Sequence, residues 1–298
     1  MKWKLFISVY MLLSFMSCSS VDNDKKDERK DHSIMKESSN LIGSNDVIAG
    51  INLTVSEGKR LIAKGIAMTP RVQEKMANGM VIITRGTTNT YIAEELVKIT
   101  DPRGSFLTGH FVPEGVESVG KGLKEKRQEI IIIDGKVVDM SYTEALKRRK
   151  EGDIIFKGAN LLNYANKQAA VCIGAPDGGT TYRFLPYVGD GKAELIIPVG
   201  LEKETSADLV VYSEALGKNN KKIGFVPKLH VYETGTVFTE IEAVKQIADV
   251  NVFPYGVGGV KGREGGVSLV ISGSEQNVKK VLDFVKTIQG EDPFVDMN

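Results

Sequence analysis

The chain has 298 residues, 39 basic and 38 acidic side chains for a formal charge of +1, 42% hydrophobic residues, 31 glycines and two cysteines. That length supports one large domain or two modest ones, with a core that needs no disulfide staples. The near-zero charge excludes a bulk nucleic-acid binder, which needs a clustered basic excess, and the composition excludes collagen-like, disulfide-stapled and multi-span membrane classes.

Residues 1–17 open with Met-Lys-Trp-Lys and continue from Leu5 to Ser17 as 13 apolar or small residues without charge. A bilayer-spanning helix needs roughly 20 such residues. Lys2 and Lys4 ahead of a short apolar core that ends in small residues follow the plan of a secretory signal peptide. The run closes in Phe15-Met16-Ser17-Cys18-Ser19-Ser20, which resembles the lipobox of bacterial lipoproteins, with phenylalanine where leucine is commoner. The resemblance implies cleavage after Ser17, lipid on Cys18, and attachment to a membrane of the bacterial cell envelope, the outer membrane by expectation. An uncleaved anchor, or a plain secretory signal with an incidental cysteine, is the alternative. Loss of Lys2 and Lys4 takes the charge from +1 to −1. With Cys18 lipidated, Cys172 has no disulfide partner; set in the apolar run Ala169–Ile173, it is expected to be buried as a small hydrophobe rather than used as a nucleophile. Residues 18–45 are rich in Ser, Asn, Asp, Lys and Glu and predict a disordered tether, spanning roughly 30 Å by random-coil scaling. Both charge signs alternate there, as in a solvated linker rather than a nucleic-acid arm.

From about Val55 helix-like and strand-like segments alternate. Ser56–Met68 carries Leu61, Ile62, Ile66 and Ala67 at helical spacing, Thr69-Pro70 starts a second helix through Met76, and Met80–Thr84 is a short apolar strand. A polar loop, Arg85-Gly-Thr-Thr-Asn-Thr90, leads into a helix over Tyr91–Ile99. Gln128–Asp139 holds two β-branched runs joined by Asp134-Gly135, a hairpin signal. A helix over Tyr142–Lys150 follows, then strands at Asp153–Phe156, Ala169–Ile173 and Glu194–Val199, a helix from Asp177 toward Val188, and a helix over Thr205–Leu216. The last stretch predicts helix Thr236–Ile247, strand Val250–Tyr255, a glycine-rich connector over Gly256–Gly266, strand Val267–Ser272 and helix Glu275–Ile288. The fold class is therefore α/β: a Rossmann-like, largely parallel sheet with helices on both faces over residues 46–235, and a small C-terminal α/β-sandwich unit, an αββα arrangement, over 236–298.

Where a strand feeds a glycine loop into a helix, backbone N–H groups and the helix dipole converge on one point and suit an anion. Gly86 gives the close approach, Thr87, Thr88, Asn89 and Thr90 add hydroxyl and amide donors, and Arg85 adds positive charge. Neither a Walker A sequence nor Gly-x-Gly-x-x-Gly is present there. The bland alternative is that Thr88, Asn89 or Thr90 merely caps the helix. The loop Asp177-Gly178-Gly179-Thr180-Thr181-Tyr182-Arg183 has the same chemistry, and the two loops are expected to face a common crevice, unless Asp177-Gly178 is only a turn. Gly256–Gly266, with Lys261 and Arg263, is either a mobile anion-binding flap or a plain hairpin connection.

The stretch Asn78-Gly-Met-Val-Ile-Ile-Thr-Arg-Gly-Thr-Thr-Asn-Thr-Tyr-Ile-Ala-Glu-Glu-Leu96 resembles the opening of the ribose-5-phosphate isomerase, glucosamine-6-phosphate deaminase and CoA-transferase-like superfamily. There a Gly-Thr-Gly-Ser-Thr type loop grips a phosphate, and the matching positions are Gly86, Thr87, Thr88, Asn89 and Thr90. Asp153-Ile-Ile-Phe-Lys-Gly-Ala-Asn160 is similar to a later strand of that superfamily, which implies that Lys157 and Asn160 face the same cleft. The superfamily's catalytic carboxylates are not evident: Lys157–Lys167 contains no acid, and Gly174-Ala-Pro-Asp-Gly-Gly179 has no glutamate. Its phosphosugar and acyl-CoA substrates are cytoplasmic, which an exported address argues against.

No metal site or cofactor is expected: His32 lies in the tether, His110 and His230 are isolated, and no His, Cys and carboxylate spacing fits zinc. No Gly-x-Ser-x-Gly elbow is present. Asp134, Asp139, Glu240 and Glu242 are candidates for a paired-carboxylate site, with solvent-exposed carboxylates as the default. The reading that emerges is an exported, lipid-anchored protein whose membrane contact is its lipid, with a small anionic ligand held in the crevice. The rival is a non-catalytic surface module that binds a protein or glycan.

Overall fold

A computed structural model describes residues 42–119, 126–218 and 221–294. The expected signal peptide, Cys18 and nearly all of the tether lie outside the described residues. The strands are β1 (Val47–Leu53), β2 (Met80–Ile83), β3 (Ile130–Ile133), β4 (Lys136–Val138), β5 (Ile154–Phe156), β6 (Leu161–Asn163), β7 (Gln168–Ile173), β8 (Glu194–Pro198), β9 (Lys228–Val231), β10 (Thr236–Phe238), β11 (Asn251–Val257) and β12 (Val267–Gly273). The helices are α1 (Val55–Met68), α2 (Pro70–Ala77), α3 (Thr87–Val97), α4 (Tyr142–Arg148), α5 (Gly179–Phe184), α6 (Leu209–Lys218), α7 (Glu240–Ile247) and α8 (Glu275–Lys286).

The molecule is mixed α/β. Its main sheet has six strands in the order β10-β8-β5-β2-β3-β4. β10, β8, β5 and β2 run parallel, while β2–β3 and β3–β4 are antiparallel. The central runs Met80-Val-Ile-Ile83 and Ile154-Ile-Phe156 are buried at every position, as strands covered on both faces must be. The β3–β4 hairpin turns at Asp134 and Gly135, with φ of +46° and +76°, the left-handed pair a two-residue turn requires.

Two further sheets flank this one. β7, an expected strand, lies outside the main sheet and pairs antiparallel with β6 and β9. β6 and β9 are three and four residues long and carry too few alternating positions to show a period. The third sheet, β1-β12-β11, draws on both ends of the described chain. β1 lies before the first element expected from the sequence, and only Ile51 and Leu53 of its seven residues are buried.

Helix boundaries follow their caps. Thr236–Phe238, expected as the first turn of a helix, is instead β10: Val237 and Phe238 are buried beside β8, and the helix starts at Glu240, where the Thr239 hydroxyl and Glu242 form a capping box. α6 starts four residues later than expected because Asp208 Oδ1 accepts the Val210 N–H at 2.9 Å. α1 packs between α3 and α7. At Gly65 an added Cβ would lie 2.6 Å from Ala243 Cα, so the α1–α7 crossing depends on the missing side chain.

One ion network ties α1, α3 and the C-terminal segment together. The Arg60 guanidinium bonds Glu94, Glu95 (2.9 Å) and Glu291 (2.9 Å), and Arg103 bonds Glu94 (2.8 Å) and Glu291 (2.5 Å). Both guanidiniums stack over the buried Tyr91 ring, 4.7 and 4.4 Å from its centroid.

Candidate functional site

β2 and β5 are neighbouring parallel strands. From β2 the chain passes through α3 to β3 on one side, and from β5 it goes on to β8 on the other. Connections that diverge between adjacent carboxyl ends leave a crevice there. Asn89 closes the floor of that crevice: its Nδ2 donates to Thr84 O (2.7 Å), just past β2, and to Phe156 O (3.2 Å) at the end of β5. The Thr84 hydroxyl donates to Phe156 O as well, at 2.8 Å. The first turn of α3 is thereby fixed over the gap between the two strands.

Gly86, the N-cap of α3, is extended (φ 160°, ψ 161°) and provides no side-chain cap, so the leading N–H groups of Thr87, Thr88 and Asn89 have no intrahelical acceptor. A Cβ added at Gly86 would meet nothing within 4 Å. The space in front of it is a cavity of about 270 Å³ whose lining includes Arg85, Gly86, Thr87, Thr88, Asn89, Lys157, Asn160, His110 and Lys203. Three basic side chains line it, and no carboxylate is among the described lining residues.

The three bases differ. Arg85 Nε donates to the buried Glu129 carboxylate at 3.0 Å, and Lys203 Nζ lies 3.7 Å from Glu202. Lys157 is 5% exposed and has no hydrogen-bond or ion-pair partner among the described residues. Burial pushes its ammonium down to about 8, Glu129 pulling it partly back up and Arg85 pressing it further down. Asn160 Oδ1 accepts the Cys172 N–H at 2.9 Å, which holds the side chain against β7. His110 is fixed as the Nδ1–H tautomer: its Nε2 accepts the Val119 N–H at 3.0 Å, so Nδ1 donates to Thr108 O at 2.8 Å.

Not every sequence-predicted donor faces the cavity. The Thr90 hydroxyl donates to Gly86 O at 2.9 Å within the helix, and the Asn89 amide is engaged by the strand ends, leaving only its buried Oδ1 without a partner. Asp177, Gly178, Gly179 and Thr180 do not line this cavity. Asp177 Oδ1 accepts the Gly179 N–H at 3.0 Å, Gly178 has φ +78°, and Arg183 pairs with Asp177 at 3.5 Å, so this loop is a self-contained turn. Its neighbour Arg183 reaches a larger hollow of about 620 Å³, lined also by Arg85, Glu129, Ser141 and Tyr142. Arg85 is common to both spaces.

The sequence reading missed Lys203 and the Leu107–Phe111 wall. Lys157 directly follows β5, whereas Lys203 ends the 3-10 turn Leu201–Lys203 beyond β8 and carries no such signal; the wall belongs to an irregular segment with no period. Cys172 is half-buried rather than buried, and burial raises its thiol pKa, which leaves it protonated. The exposed default for the acidic candidates fails at Glu240, which is 1% exposed. No group of His, Cys, Asp and Glu that could hold a metal occurs among the described residues.

Glu240 accepts the Leu201 N–H at 2.9 Å, and its carboxyl pKa is raised, first by burial and then by Glu202. A carboxyl that holds its proton only in the folded chain costs stability as pH rises from about 4.3, the unfolded value, toward its folded pKa. Urea titrations from pH 5 to 8 are expected to give a falling stability in the native chain and a flatter profile in Glu240→Gln, whose amide oxygen still accepts from Leu201. Parallel profiles would overturn the assignment.

No family model, no curated protein and no solved structure matches the chain. The site is therefore interpreted from its own geometry.

Proposed function

We propose that this is an exported, lipid-anchored α/β protein that binds a small anionic compound at the first turn of α3, between the carboxyl ends of β2 and β5. The observation that carries the reading is Lys157, a buried cation unpaired among the described residues and lining the same cavity as the open N-terminus of an 11-residue helix. A buried charge without a partner is costly, and an anion in the cavity relieves it while satisfying the free N–H groups. Arg85, Thr87, Thr88 and Asn160 complete the cradle. A Rossmann-like arrangement with helices on both faces, and a C-terminal α/β-sandwich unit, is the fold reading that accompanies this proposal. It is supported by four parallel strands in one sheet and by α8 packing on β1 and β12.

The test is a thermal-shift panel of phosphate, sulfate and small carboxylate and phosphate esters. Stabilisation by at least one member is expected, and a flat response to all of them would overturn the reading. The anchor is tested separately. Cys18→Ala is expected to abolish metabolic lipid labelling, and undiminished labelling would remove the lipid from the proposal. No helix among the described residues is long and apolar enough to cross a membrane.

One observation favours the rival surface module. Val210, Val211 and Tyr212 on α6 are exposed, and so are Ile223 (99%) and Phe225 (75%) in the segment that precedes β9. Exposed apolar side chains of this size suit a protein or glycan partner. On that reading the double variant Ile223→Asp, Phe225→Asp loses glycan-array and cross-linking signals that the native chain gives, while its response to anions is unchanged; retained signals would count against it.

A further inference from the structure

We propose that Lys157 is an amine nucleophile that forms an imine with a small aldehyde or ketone whose phosphate or carboxylate sits at the first turn of α3. The proposal rests on the anion-binding reading and adds a covalent step to it.

A lysine that only attracts anions works best as an exposed or paired ammonium, with its charge kept by water or a carboxylate. Lys157 has neither. Its residue is 5% exposed, its backbone N–H is held by Ile196 O at 3.1 Å, and no described residue bonds its ammonium. The carboxylate nearest in effect, Glu129, is engaged by Arg85 at 3.0 Å. Such a site raises the fraction of uncharged amine above that of an ordinary lysine, and the uncharged form carries the lone pair a nucleophile needs. With the ammonium lowered to about 8 by burial, about a tenth of the molecules hold the neutral amine near pH 7. The cavity of about 270 Å³ is large enough for a compact anionic carbonyl compound and has its fixed donors at the α3 end.

The step balances without an oxidant or reductant. The Nζ lone pair adds to the carbonyl carbon, forming a C–N bond, and the C=O π pair moves to oxygen, which takes a proton. The carbinolamine then loses that oxygen as water while the nitrogen loses its remaining proton, so amine and carbonyl give imine and water. Holding the anion at the helix N-terminus fixes the carbonyl carbon beside one amine, which makes the addition effectively intramolecular.

The experiment treats the full-length protein with sodium cyanoborohydride and either glycolaldehyde phosphate or pyruvate, then maps the reduced adducts by peptide mass spectrometry. The two compounds separate a phosphate-directed from a carboxylate-directed site. Expected is at least tenfold more adduct at Lys157 than at any other lysine with one of them, and its loss in Gly86→Val. Because the comparison is among lysines of the native chain, it does not depend on a Lys157 variant folding. Thermal stabilisation by anions with no excess adduct at Lys157 would overturn the imine and leave the binding site standing; absence of both would overturn both. Equal labelling of Lys157 by uncharged propionaldehyde would also overturn the proposal, since no anion would then be directing the carbonyl.

Discussion

Gly86→Val is expected to remove the thermal stabilisation proposed for small anions on the native chain, while leaving the fold of the unliganded protein intact. The second half follows from the backbone: Gly86 is extended, a Cβ there meets no atom within 4 Å, and the Gly86 N–H keeps its bond to Phe106 O. The first half follows from the space the new side chain takes: Gly86 lines the cavity ahead of α3, and a valine there occupies room an anion needs to approach the leading N–H groups. A ligand present at 100 times its dissociation constant stabilises by about 2.7 kcal/mol, or roughly 5–10 °C in a chain of this size. Differential scanning fluorimetry with and without anion would show that shift in the native chain and its absence in the variant. The same assay carries a pH signature. The ammonium of Lys157 sits at about 8, so the native shift is expected to shrink as pH rises past that value, as the site loses a positive charge. An unchanged shift in Gly86→Val would move the anion away from α3.

Arg60→Ala is expected to cost about 3 kcal/mol, the low end for breaking a buried ion pair. Its guanidinium is one-tenth exposed and serves three carboxylates at once. Arg103 still reaches Glu94 and Glu291, and Lys64 still reaches Glu95, which limits the loss. The contribution should depend on pH in a definite direction. Burial raises the Glu291 carboxyl, but its hydrogen bonds to Arg60 and Arg103 outweigh burial and hold it below the usual range. A carboxylate depressed in the folded state stabilises above its unfolded pKa, about 4.3, and loses that contribution as pH falls through the folded value. The gap between native and Arg60→Ala stabilities, measured by chemical denaturation, should therefore be full at pH 7 and narrow below about pH 4. A gap that is constant with pH would assign the loss to packing against Tyr91 alone.

Much of this organisation was legible along the chain. The strand–loop–helix unit from Met80 to Val97 announced itself by an apolar run, a glycine and a helical period, and the Asp134-Gly135 hairpin by turn chemistry. Lys157 and Asn160 came from the resemblance of Asp153–Asn160 to a later strand of the phosphate-gripping superfamily, and they share one cavity with Arg85–Asn89 because β5 lies beside β2. Other features were not legible, since they depend on partners far away in sequence. β1 is placed by its pairing with β12, more than 200 residues away, and Thr236–Phe238 reads as helix until β8 lies alongside. The network of Arg60, Arg103, Glu94 and Glu291 joins residues up to 231 positions apart.

Length, composition and charge by themselves determined that this is a chain with room for one large domain or two modest ones, no electrostatic footprint for nucleic acid, and cysteines too few for a disulfide framework. Local pattern added which segments alternate and which loop opens a helix toward an anion. Only the tertiary structure decided which loops meet. It set Arg85–Asn89 against Lys157 and turned the Asp177 loop in on its own side chain, although the two loops have nearly the same composition. The reason is physical: composition sets what a loop is able to bind, whereas the order of strands in a sheet sets what stands opposite it, and that order is fixed by long-range packing.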